Sequence, residues 1–299
     1  MDLNYIKNEA SFDKPIEYKG IKIYPITIAY YSIVKMAHLA FAINLANEQD
    51  IELFGLPFME YMFKKSLKSN EFAEIWQIYN SVLQLSFKDQ FHTFKYEDNF
   101  LKLIIAVPTE NYNEETMCVY REKLNLYQKL SENSQSLFLN QLQLHNLKEE
   151  LDTLANSLFT LHSFGDQEFE EIKTIICYLN DIDISEIDPK WELELQKARE
   201  LMKKAVSEKD APTFEDLVDV VAKSLHKMPN EINDMTIRRF DRYLALELDK
   251  ENYLLCKQAE MNGAEFKVPI KHWLKAYQIK GRYSDVQNDG GGVQEILTQ

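Results

Sequence analysis

From Thr236 to Asn262 the chain carries neither glycine nor proline, and apolar residues recur at Ile237, Phe240, Leu244, Leu248 and Leu255. Intervals of three, four and seven place these side chains on one stripe of an α-helix, and Tyr243 and Leu254 broaden it. At 1.5 Å per residue, a helix of about 27 residues is near 40 Å long. A rod of that length has to lay one face on something and show the other, so the rest of the chain must be organised around it. Asp234 or Thr236 is placed to cap its start, and Asn262-Gly263 is a usual stop.

The start of this helix is basic, with Arg238, Arg239 and Arg242. Positive charge at a helix N-terminus opposes the macrodipole, so an acidic neighbour is expected. Residues 148–219 hold 19 acidic and 8 basic residues, a net of -11, whereas residues 236–282 hold 10 basic and 6 acidic, a net of +4. Internal ion pairing between these regions is one reading. The other is a docking face for a protein partner, formed by Arg238, Arg239 and Arg242 together with His272 and Trp273. The whole chain has a formal net charge of -14, which repels phosphates and anionic lipid, so neither nucleic acid nor membrane is an expected partner.

The first hundred residues read differently. Ile16, Tyr18, Ile21 and Ile23 alternate with charged residues around Lys19-Gly20, which predicts a short hairpin. Pro25 lacks a donor and marks an edge or an end. A helix is predicted from Thr27 to Ala46, and two more over Leu56–Leu67 and Asn70–Leu85. Residues 91–106 are rich in β-branched and aromatic side chains around Glu97-Asp98-Asn99 and predict a second hairpin. The two hairpins could share one sheet.

Beyond residue 110 the leucine spacing from Asn113 to Leu161 predicts two helices broken at Ser131–Ser136. A helix follows from Asp166, then an acidic loop over 180–189, a helix from Trp191 to Ser207, and one opened by a Thr213/Asp216 capping box. The expected fold is therefore mainly α-helical (α+β): a bundle-like helical body with a small antiparallel sheet in the N-terminal region. Its expected parts are a mixed α/β region over 1–110, an all-helical region over 111–282 and a flexible tail over 283–299.

Chemistry-bearing motifs are sparse. Six histidines are scattered, none in HExxH, and Cys118, Cys177 and Cys256 lie far apart. That pattern fits neither a zinc site nor a disulfide framework and suits a reducing cytoplasm. The acidic loop lacks the glycine of a calcium-binding loop, since Glu186 stands at that position. No phosphate-binding, dinucleotide or nucleophile-elbow motif occurs. Gly290-Gly-Gly292 follows no strand, as a phosphate loop would. No catalytic residue, cofactor or metal is expected. No apolar run approaches the ~20 residues that span a bilayer, and the N-terminus lacks the layout of a secretion signal.

One resemblance joins these segments. Met228-Pro229, Met235-Thr-Ile-Arg-Arg-Phe240, Tyr253, Lys257-Gln-Ala-Glu-Met-Asn-Gly263 and Pro269-Ile-Lys-His-Trp273 resemble a group of tail assembly chaperone-like proteins of tailed bacteriophages and prophages of Gram-positive bacteria. Pro15-Ile-Glu-Tyr-Lys-Gly-Ile-Lys-Ile-Tyr-Pro25 and Phe169-Glu-Glu-Ile-Lys-Thr-Ile-Ile176 are similar to their opening and central helix. The resemblance spans roughly residues 15–273. It implies a non-catalytic protein of the host bacterial cytoplasm that binds the tape-measure protein, or another tail protein, during tail assembly. Self-association into a homo-oligomer is compatible with it. The alternatives are a structural or host-modulating phage protein, or an enzyme of unrecognised type.

Overall fold

A computed structural model describes residues 3–41, 50–97, 100–132, 138–182, 212–266 and 269–276. Helix α1 (Leu3–Ser11) leads into a hairpin of β1 (Ile16–Tyr18) and β2 (Ile21–Ile23). A 3-10 turn over Ile28–Tyr30 opens α2 (Tyr31–Phe41). Helices α3 (Phe58–Lys68) and α4 (Asn70–Phe87) precede a second hairpin, β3 (Phe91–Glu97) and β4 (Phe100–Pro108). Then come α5 (Glu114–Glu132), α6 (Phe138–Leu158), strand β5 (Phe159–Phe164) and α7 (Asp166–Asn180). The described chain ends with α8 (Phe214–Ser224), α9 (Ile237–Met261) and the short α10 (Trp273–Ala276). The chain is a mainly helical α+β protein with two small antiparallel sheets.

The two expected hairpins form but do not share a sheet. β1–β2 stands alone, while β3–β4 takes β5 as a third strand. The leucine spacing predicts helix as far as Leu161, whereas residues 159–164 are a strand. Six residues are too few for spacing to separate helix from strand. The ladder to β4, from Leu103 opposite Phe164 to Pro108 opposite Phe159, decides the matter. The stretch 111–282 is thus not all-helical, and the sheet crosses residue 110. Helices α5 and α6 form a hairpin inserted between β4 and β5. Thr109 closes its base: the backbone N–H donates to the Leu158 carbonyl at 2.9 Å and the hydroxyl to the Ser157 carbonyl at 2.6 Å. Residues 183–189 of the expected acidic loop, the helix over 191–207, the end of the 27–46 helix and the glycine-rich tail lie outside the described residues.

The core sits where α2, α3, α4 and α7 meet one face of the three-stranded sheet. Tyr79 is fully buried there, with Phe41, Phe58, Trp76 and Phe169 at ring-centroid distances of 5.0–6.2 Å. The β1–β2 hairpin is fastened by polar groups. Gln90 uses its carboxamide as one more strand residue: Oε1 accepts from the Lys22 N–H, and Nε2 donates to the Lys22 carbonyl and to the Phe87 carbonyl. On the other side Tyr18 donates to Glu171 at 2.6 Å, and burial, helped by that carboxylate, pushes the phenol pKa well up.

The turn of this hairpin requires glycine twice over. Gly20 has φ +88°, and a Cβ there would lie 2.5 Å from Cε1 of His162 on β5. Gly20→Ala should therefore lower the unfolding free energy by about 1–3 kcal/mol. Adding His162→Ala should restore only part of that loss, because the left-handed backbone penalty of about 1–2 kcal/mol remains. Denaturant melts of the single and double variants measure both contributions.

Candidate protein-interaction surface

Helix α9 begins at a crossing of two distant segments. Thr27 pairs with Thr236 in an antiparallel bridge. The Ile28 N–H donates to the Met235 carbonyl and the Ile237 N–H to the Ile26 carbonyl, both at 2.9 Å. The Ile26 N–H is taken by the buried side chain of Asn180, at the end of α7, at 2.7 Å. Thr236 is the cap, its Oγ1 accepting from the Arg239 N–H. The reciprocal Thr213/Asp216 box opens α8 as the sequence predicts.

The acidic neighbour that the basic start of α9 calls for is Asp13. One carboxylate oxygen accepts from the Thr236 hydroxyl at 2.7 Å, and the other lies 2.7 Å from Nη2 and 2.8 Å from Nε of Arg239. Arg239 also donates to the Ser11 carbonyl, one of the carbonyls left open at the end of α1. Burial works against the Arg239 charge, but Tyr243 and Asp13 outweigh it and hold its pKa above the ordinary guanidinium value. Arg238 donates to the Tyr178 carbonyl of α7. Two of the three arginines expected to face a partner are therefore committed to the fold. Among the described residues the partners of Arg238 and Arg239 are a backbone carbonyl and Asp13. Arg242 is exposed.

Above the cap, Phe240 is fully buried between Tyr31 of α2 and Phe214 of α8, with ring centroids 5.6 and 6.0 Å away. Lys35 of α2 pairs with Asp241 at 2.6 Å. Leu244 still packs on the core. The stripe then leaves the body. Leu248 is 52% exposed and Leu255 66%, although both continue the line of Ile237, which is fully buried. Leu254 and Met261 form a second exposed row, seven residues apart.

The two remaining expected contact residues brace this outer part. His272 is exposed, lies 5.1 Å from the Tyr253 ring and stacks on Trp273 at 5.7 Å. Its Nδ1 accepts from the Leu274 N–H and so caps α10. Trp273 is half-buried, not a core residue. Arg238 and Arg239 thus lie at the buried root of α9, and His272 and Trp273 at its far end.

Beside the root lies a cleft of about 700 Å³ lined by Asp13, Tyr24, Tyr30, Gln84, Lys88 and Asp234, among others. His92 packs among aromatic rings, and burial lowers its pKa. Among the described residues no cluster of three or more His, Cys, Asp or Glu could hold a metal ion. No helix among them is long and apolar enough to cross a membrane.

Sequence patterning locates α9 and its stripe but not where the stripe stops being covered. It also misses Asp13 and Asn180. Nothing local to Asp13 announces a partner 226 residues away. Phe240→Ala should cost about 3–5 kcal/mol of stability, whereas Trp273→Ala should cost roughly 1–2 kcal/mol because much of the ring is already in water. Urea melts followed by far-UV circular dichroism compare the two. No family model, curated protein or solved structure matches the chain.

Proposed function

We propose that this protein is a non-catalytic binding protein of phage tail assembly, which holds the helical tape-measure protein soluble in the host cytoplasm while the tail is built. The observation that carries the proposal is the continuation of the α9 stripe out of the core. Leu248 and Leu255 lie in solvent on the line that begins with the fully buried Ile237 and Phe240. Exposed apolar rows on a fixed helix are the usual means of gripping another helix.

The segments that resemble tail assembly chaperones support the same reading. Met235–Phe240 builds the root of α9, and Tyr253 meets His272 at its outer part. A protein contact is favoured over a nucleic-acid grip because Arg238 and Arg239 are spent inside the fold. The acidic surface keeps a complex with an apolar client soluble.

Co-expression with a phage tape-measure protein is the test. The wild-type chain should keep the client in the soluble fraction and co-purify with it. Leu248→Asp with Leu255→Asp should lose the client while leaving the melting midpoint unchanged, since both side chains are already exposed. Client solubility that is the same with and without this protein would refute the proposal.

A further inference from the structure

The charges around the exposed stripe specify the chemistry of what lies on it. At about 100° per residue, Leu248 and Leu255 share one line of α9, Asp249 projects about 100° to one side, and Glu251 about 60° to the other. The two lysines of this half, Lys250 and Lys257, lie on the opposite side of the helix. Each is held there by an acidic neighbour: Lys250 by Glu247 at 3.1 Å and Lys257 by Glu260 at 2.7 Å. Among the described residues neither Asp249 nor Glu251 makes an ion pair. The apolar line is therefore bordered on both flanks by carboxylates without an ion pair among the described residues, while the two lysines of this half are paired and turned away.

We propose that this face docks an amphipathic helix whose apolar row is flanked by lysine or arginine. The proposal deepens the binding function above and rests on it. Apolar anchors at positions i, i+3/i+4 and i+7 of the ligand meet Leu248 and Leu255. Its basic flanks meet Asp249 and Glu251, and an acid-flanked helix of equal hydrophobicity is rejected by like-charge contact. A second copy of this chain is a poor occupant, because its own α9 would bring Asp249 and Glu251 against the same two carboxylates. The aligned charges also make binding weaker as salt rises.

Two synthetic helices with one leucine row, one flanked by lysine and the other by glutamate, test this by fluorescence anisotropy with the full-length protein. The lysine-flanked helix should bind more tightly by about tenfold or more. Asp249→Lys with Glu251→Lys should reverse that preference, and Leu248→Asp with Leu255→Asp should abolish binding of both peptides. Equal affinity for the two helices, or indifference to the charge reversal, overturns the proposal. So does a sedimentation profile in which the wild-type chain is a dimer and Leu248→Asp with Leu255→Asp makes it a monomer. The result is separable from the function above. Tape-measure solubility that depends on this protein but survives loss of both leucines, together with equal peptide affinities, sinks the face and not the chaperone role. Peptide discrimination without any effect on the tape-measure protein sinks the role and not the face.

Discussion

The backbone crossing of Ile26–Ile28 over Met235–Ile237 is the constraint on which the placement of α9 depends. It consumes the N–H groups of Ile28 and Ile237 and is closed by the Asn180 carboxamide. Three segments far apart in sequence meet there: the approach to α2, the end of α7 and the start of α9. Buried backbone polar groups cost free energy unless paired. Once the apolar residues around the crossing are buried, its hydrogen bonds leave little freedom in where the helix begins. Asp13 adds an electrostatic part to the same junction, since it neutralises Arg239 and sits at the positive end of the helix dipole. The origin of α9 fixes which of its turns are covered by the body and which stand clear.

The body that supplies this junction draws on both halves of the sequence. Strand β5 comes after a helical hairpin and returns to β4, so α5 and α6 are an insertion into a sheet and not the beginning of a separate unit. Helix α7 then runs back across the sheet and contributes Phe169, Ile172 and Ile176 to the core that holds Tyr79. The same helix ends at Asn180, so the packing of the sheet and the crossing under α9 are coupled through one rigid element.

Charge is used in two ways along α9. At its root, cations are satisfied by Asp13, by the Tyr178 carbonyl and, for Lys35, by Asp241, and they serve stability. In its outer half, cations are paired on the far side and carboxylates border the apolar row. The first arrangement explains why a basic helix start is tolerated in this fold. The second gives the exposed row a sign, and a sign is what discriminates among ligands of equal hydrophobicity.

Local pattern was enough to place most elements. The alternation at 16–23, the aromatic and β-branched run at 91–106, the Thr213/Asp216 box and the three–four–seven spacing of α9 each reflect short-range physics, and each appears where its pattern puts it. Tertiary structure decided what short-range physics leaves open. Residues 159–164 became a strand because β4 offered a ladder, Asp13 became the partner of Arg239 across 226 residues, and Trp273 stayed half-buried at the edge. The same apolar spacing serves Phe240, which the body covers, and Leu248, which it does not. Periodicity in a sequence sets which face of a helix is apolar; only the arrangement of its neighbours sets how far along the helix that face is buried.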